Sequence, residues 1–237
     1  MRRLIRQAVG RTRIRYADTA FELHVEDNYT EFVLWLHQKP PEHAATMHYR
    51  QKYEGQNVTI VDVGANAGIF SLPILTSTAG GSTGMLFEPN PEMIGRLKKN
   101  IALNQLTNVH VAETAVGDSN ATVSLCLPRK KNLGQAKVGE PSEGEETIEV
   151  PLTKLHDALT EKKVRQIDLL KVDIEGLEDK ALVPFLETAP PTLLPTDIYF
   201  EDVHSESWSI DLISALKATG YKMQQRFGHN VVYSRAA

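Results

Sequence analysis

The sequence predicts a doubly wound α/β sheet, mostly parallel, with an antiparallel strand at its C-terminal end. Three observations predict it. From Asn57 onward, short apolar runs alternate with amphipathic helical stretches. The runs VTIVDV, GMLF and IDLLKV lack polar alternation, as strands buried on both faces do. The chain closes on YKMQQRF and NVVYSR around a two-residue Gly228-His229 turn, the pattern of an antiparallel hairpin.

The elements follow in order. Residues 1–16 hold six arginines (Arg2, Arg3, Arg6, Arg11, Arg13, Arg15) and no acid, so a net charge of −4 divides into +6 there and −10 elsewhere. This reads as a solvated basic arm able to touch an anionic surface. FELHVED alternates like a strand, and NYTEFVLWLHQK reads as a helix that Pro40-Pro41 breaks. EHAATMHYRQKYE reads as a second helix. Residues 1–56 thus form an arm and leader, and 57–237 the main domain. VTIVDV is the first parallel strand, followed by a helix over Ile69 to Thr78 with Pro73 in its first turns. GMLFEP is the second strand. Asn90 and Pro91 then start a helix with Met93, Leu97 and Ile101 on one face.

NVHVAETAVGD reads as the third strand. ATVSLCL and TIEVPL alternate strictly, with Val123, Leu125 and Leu127 on one side, and predict an antiparallel pair. The polar stretch Pro128 to Glu146 between them reads as a long mobile loop. IDLLKVD is the fourth strand, Leu177 to Thr188 a helix, DIYFED the fifth strand, and Leu212, Ile213 and Leu216 mark a helix closed by Gly220.

Bulk properties exclude some classes. No apolar stretch approaches the roughly 20 residues that span a bilayer. Arg11, Arg13 and Arg15 stand where a secretory signal needs its apolar core. The lone Cys126 cannot form an internal disulfide, which suits a reducing, cytoplasmic setting.

Ligands of such sheets bind at the carboxyl ends of the strands, and the notable polar residues cluster there. VDVGANAGIF places Asp62 before a turn of small residues, Gly64, Ala65, Asn66 and Gly68. Small residues let backbone approach a ligand. The G-x-x-x-G spacing departs from the G-x-G-x-x-G of dinucleotide sites and suits S-adenosyl-L-methionine, which has a nucleoside and an amino acid but no pyrophosphate. Glu88 ends the second strand, where an acid accepts hydrogen bonds from ribose hydroxyls. Asp118, in VGDSN, lies where a carboxylate meets an adenine amino group, although the stretch is also good turn chemistry. In LLKVDIEGLE, Lys171 and Asp173 share a face of the fourth strand, and a buried lysine there needs a partner. Asp173 and Glu175 emerge at the crevice mouth, to position or deprotonate an acceptor or to close the sheet end as an ion pair. His204 follows the fifth strand, and histidine is the residue type suited to proton transfer at neutral pH, so it is a candidate base. Asp173, Glu201 and Asp202 are hard donors, but their spacing demands no metal.

The run VDVGANAGIF, FEPNP, AVGD, LLKVDIEGLE and IYFE resembles the FkbM-type family of S-adenosylmethionine-dependent methyltransferases, over roughly residues 57 to 235. The resemblance implies a Rossmann-like, class I methyltransferase-like fold and O-methylation of a hydroxyl on a sugar, glycan or secondary metabolite. It implies that Asp62, Gly64, Ala65, Asn66 and Gly68 hold the methionine end, Glu88 the ribose and Asp118 the adenine side. Lys171, Asp173 and Glu175 become the motif beside the acceptor. The alternatives are an RNA-directed methyltransferase, which the acidic body disfavours, an NAD-linked oxidoreductase, and a catalytically silent nucleotide-binding protein.

Overall fold

The computed structural model describes residues 9–128, 132–141 and 146–235. Its centre is a seven-stranded sheet of β3 (Thr59–Val63), β4 (Thr83–Phe87), β5 (Val109–Ala112), β10 (Leu169–Val172), β11 (Asp197–Glu201), β12 (Lys222–Phe227) and β13 (Asn230–Ser234). The strand order is β12-β13-β11-β10-β3-β4-β5. The five strands from β11 to β5 are parallel, and β13 and β12 run antiparallel at the edge. The chain reverses direction between β3 and β10, the switch point where such sheets open a crevice.

Each central strand is buried on both faces. On one face Ile60, Leu86, Leu169 and Tyr199 pack under α3 (Ser71–Leu75) and α4 (Pro91–Leu103). On the other, Val61, Phe87, Leu170, Ile198 and Phe200 pack under α5 (Leu155–Glu161), α6 (Glu178–Thr188) and α7 (Leu212–Ala218). The Asn90 side chain caps α4 by accepting from Glu92 N, and Met93, Leu97 and Ile101 are buried as the spacing predicts.

The leader joins the first of these cores. It comprises the hairpin β1 (Arg11–Tyr16) and β2 (Thr19–His24), then α1 (Tyr29–His37) and α2 (His43–Tyr53). Phe21, Leu23, Phe32, Leu34 and Tyr49 share a cluster with Ile60, Leu72 and Leu97. Two asparagines of α4 bind the backbone of β2: Asn104 accepts from Ala20 N and donates to Ala20 O, both at 2.8 Å, and Asn100 accepts from Glu22 N at 2.9 Å. Arg96, 4% exposed, reaches from α4 to Asp27 and Glu31 of the leader and Glu92 of its own helix, at 2.8, 3.0 and 3.2 Å.

Four expectations are corrected here. The second half of the basic arm is strand β1, with Arg11, Arg13 and Arg15 on its exposed side and Tyr16 buried; Arg2, Arg3 and Arg6 lie outside the described residues. The helix expected over Ile69 to Thr78 is only Ser71–Leu75. Its hydroxyls end it: Thr76, Ser77 and Thr78 donate to the carbonyls of Pro73, Ile74 and Leu75. The third strand is two. Val109–Ala112 stays in the main sheet, while β6 (Ala115–Gly117) crosses to a four-stranded sheet with β7 (Ala121–Leu127), β8 (Lys137–Val138) and β9 (Glu146–Lys154). The expected loop between β7 and β9 contains a 3-10 turn, Leu133–Gln135, and strand β8 on β7. Residues 129–131 and 142–145 of that loop lie outside the described residues. Among the described residues no helix is long and apolar enough to cross a membrane.

Candidate active site

A cleft of about 420 Å³ opens where β3, β4, β10 and β11 end, a size that suits a small-molecule ligand. The turn after β3 forms its floor. Gly64 has φ +81°, and a Cβ there would lie 2.0 Å from the Asp173 carbonyl oxygen. Only glycine lets the turn and the end of β10 come so close. Gly64 N and Ala65 N both donate to Phe87 O at 3.0 Å, tying the turn to β4. Asn66, at φ +52°, sits on the lining. Its Oδ1 accepts from Ala67 N and from Asn28 Nδ2 of the leader, each at 2.9 Å.

Glu88 lines the cleft beside this turn and is 7% exposed. Its Oε2 accepts from Asn66 N at 2.8 Å and its Oε1 from Asn90 N at 2.9 Å. Burial pushes its carboxyl up to about 7 against the pull of those two amides. Each oxygen keeps acceptor capacity for a ligand hydroxyl. Past Glu88, Thr114, Ala115, Val116 and Leu125 form a slot, mainly apolar, made by the crossing of β6 to the second sheet.

The other end is anionic. Lys171, 3% exposed, donates to Gly64 O at 3.1 Å and pairs with Asp62 Oδ1 at 3.2 Å and Asp173 Oδ2 at 3.6 Å. Its ammonium also lies 5.8 Å from the centre of the Phe70 ring. Burial opposes its charge, but Asp62, Asp173 and Glu42 outweigh burial and hold it protonated. Glu175 follows in a left-handed conformation at φ +58° and lines the cleft. Burial first, then Asp173, Glu201 and Glu178, push its carboxyl up to about 7. Glu201 on the same wall is raised by burial and by Asp173.

Of the residues named from sequence, Gly64, Ala65, Asn66, Glu88, Lys171, Asp173, Glu175 and Glu201 line this one cleft, and five do not. Asp62 is fully buried beneath the turn, where it accepts from Ser71 Oγ and faces Lys171. Gly68 packs on α3 and α4, where a Cβ would meet Leu72 and Leu97 at 2.8 Å. Asp118 points to Lys180, 3.4 Å away. The His204 side chain is 46% exposed on the rim, with Nε2 3.8 Å from Glu201 Oε2. Asp202, named as a hard donor, is taken up by Arg226 in a paired contact at 2.8 and 2.6 Å.

Residues unread in the sequence also line it. Tyr29, Thr30, Pro41 and Glu42 come from the leader, Asn132 to Val138 from the segment before and through β8, and His229 from the β12–β13 turn. Besides pairing with β7, the segment is tied down by four hydrogen bonds: Tyr29 N donates to Asn132 Oδ1 at 2.8 Å, Leu133 N to Asp27 O at 2.9 Å, and Asn66 Nδ2 and Asn90 Nδ2 to the carbonyls of Gly134 and Leu133, each at 3.5 Å. The sequence marks only a break at Pro40-Pro41 and a turn at Gly228-His229 among these, and neither names a role.

The model of the FkbM methyltransferase domain matches residues 62–223. The chain belongs to the FkbM methyltransferase family. Its cofactor is accordingly S-adenosylmethionine, and its fold is the Rossmann-like fold of class I methyltransferases. The methyltransferase sdnD of Sordaria araneosa is 31% identical over 155 residues, 53% of this chain and 60% of that protein. The FkbM methyltransferase structure from Methylobacillus flagellatus KT superposes with a TM-score of 0.50 at 16% identity, over 88% of this chain and 55% of that one. PH0793 of Pyrococcus horikoshii gives 0.50 at 12% identity, over 96% and 72%. The FkbM match begins at Asp62, so the leader that walls one side of the cleft lies outside it.

Proposed function

We propose that this FkbM family member methylates a hydroxyl oxygen of a sugar, glycan or secondary metabolite. The observation that carries the reading is the polarity of the cleft along its length. One end offers a buried carboxylate and a mainly apolar slot, which suit a ribose and a purine. The other end offers Asp173, Glu175 and Glu201, which accept hydrogen bonds from hydroxyl groups.

In this reading Glu88 accepts from the ribose hydroxyls, and Thr114, Ala115, Val116 and Leu125 enclose the adenine, a role the sequence assigned to Asp118. Backbone groups of Gly64, Ala65 and Asn66 meet the methionine end. Asp62 and Gly68 act from below, fixing the turn. Lys171 is a positioning residue: one ammonium joins the turn, through Gly64 O, to the strand end, through Asp173. Asp173 and Glu175 orient the acceptor hydroxyl. His204 stands outside the lining and takes no part.

The cofactor supplies a methyl group on a positive sulfur, so the protein need not create a leaving group. The protein has to hold the acceptor oxygen near the methyl carbon, at about 3–3.5 Å, and to exclude water. The Asn132 to Val138 segment and the leader cover the cleft and serve that exclusion.

The test uses methyl-labelled S-adenosylmethionine with a panel of sugars, amino sugars, polyols, nucleosides and RNA. Label that survives mild alkali, as an ether does and a carboxyl ester does not, is expected on a polyol or sugar. Label found only in RNA, or only on nitrogen, would overturn the hydroxyl assignment.

A further inference from the structure

Glu42 has a backbone role and a side chain that does something else. It is the N-cap residue of α2, and its carbonyl accepts from Thr46 N at 2.9 Å. A capping carboxylate normally turns back onto the helix amides. This one makes no such bond and lines the cleft, with Oε1 sealed from solvent. Pro40-Pro41 fixes the approach of the chain, so the carboxylate is delivered across the sheet end from outside the family-matched core.

Its surroundings hold one positive charge, that of Lys171. Asp62 of β3, Lys171 of β10, Asp173 beyond β10 and the Tyr199 hydroxyl of β11 act on it, and Tyr16 of β1 feels its charge. Lys171 is already shared between Asp62 and Asp173. Three carboxylates therefore face one buried ammonium. A buried charge is costly without a partner, and a cationic sulfur at this end would supply one. Methyl transfer then removes that charge, and a proton arriving on a carboxylate restores the balance.

We propose that Glu42 is the carboxylate that faces the transferred methyl group and takes the acceptor's proton. This rests on the methyl-transfer reading above. As the acceptor oxygen bonds to the methyl carbon, the electron pair of the breaking C–S bond stays on sulfur. The hydroxyl proton passes to a Glu42 carboxylate oxygen and later to water. Burial first, opposed by Lys171 and reinforced by Asp173 and Asp62, pushes the Glu42 carboxyl up to about 7, where a proton acceptor is effective at neutral pH.

The test needs no acceptor. Calorimetry on the full chain compares S-adenosylhomocysteine, whose sulfur is neutral, with sinefungin, which carries an amine at the methyl position. At pH 8 wild type should bind sinefungin about ten-fold more tightly, as expected for one charge-assisted hydrogen bond. That preference should shrink towards pH 6 as Glu42 protonates. At pH 7 sinefungin binding should release protons, seen as heat that depends on the buffer. Glu42→Gln should remove the preference and the proton release while leaving S-adenosylhomocysteine affinity within about two-fold, and Glu42→Asp should keep part of both.

A preference that survives Glu42→Gln would overturn the proposal. Equal weakening of both ligands would do the same, placing Glu42 at the methionine ammonium or in the leader's packing. Should Glu42→Gln fail to fold, a wild-type preference that does not change between pH 6 and 8 would also overturn it. Wild type binding neither ligand would instead reject the cofactor site, and this proposal with it.

Discussion

At the scale of single residues, two positions hold the site together. Gly64 is fixed by sterics: its φ of +81° disfavours any side chain, and a Cβ would press on the Asp173 carbonyl at 2.0 Å. Gly64→Ala should cost about 3 kcal/mol or more from backbone strain and overpacking combined, and should abolish S-adenosylhomocysteine binding; denaturant titration and calorimetry check the two effects. Lys171 is fixed by charge. Lys171→Met leaves Asp62 buried without a cation, a loss of about 3–5 kcal/mol, and detaches Asp173 from the turn. Both residues were legible because LLKVDIEGLE and VDVGANAGIF put unusual residue types at strand ends. Asp118 and His204 stood out for the same reason, yet neither lines the cleft. A carboxylate or imidazole near a strand end is visible in sequence, but whether it turns inward depends on neighbours such as Lys180 and Glu201 that only the fold brings near.

At the scale of elements, the strands and long helices followed their apolar patterns, because burial on both faces leaves little choice of residue. What the pattern could not reveal was where a strand changes sheet. NVHVAETAVGD reads as one strand, yet β6 leaves β5 to pair with β9, and that departure opens the slot of Thr114, Ala115 and Val116. RTRIRY alternates in exposure as a strand does, but its arginines mark it in sequence as a solvated arm. The leader's position was equally hidden, since Arg96, Asn100 and Asn104 reach it from 65 to 84 residues away. Arg96→Leu should strand the fully buried Glu31 and lower stability by about 3–5 kcal/mol, a fall of roughly 10 °C or more in thermal midpoint. Adding Glu31→Leu should recover much of that loss; a midpoint unchanged in the single variant would mean that the leader is held by its apolar core alone.

At the scale of the whole molecule, the cleft concentrates carboxylates that burial makes reluctant to ionise. Glu42, Glu88 and Glu175 are each pushed up to about 7. A carboxyl raised on folding contributes stability below its unfolded range, near 4.5, and loses it as pH rises through about 7. Glu88→Gln cannot ionise, so its thermal midpoint relative to wild type should climb between pH 5 and pH 8. A constant difference across that range would show that Glu88 ionises in the fold as it does in the unfolded chain. The same burial is the reason a cationic, hydroxyl-bearing cofactor is suited to this cleft.

The cofactor cleft is tested most directly by calorimetric titration with S-adenosylhomocysteine, with Glu88→Ala alongside. Micromolar binding is expected, about 8 kcal/mol in free energy. Two charged hydrogen bonds lost from the ribose should weaken the variant by roughly a hundred-fold or more. Binding unchanged in Glu88→Ala would contradict the placement of the nucleoside, and no binding by wild type at millimolar ligand would contradict the cleft itself.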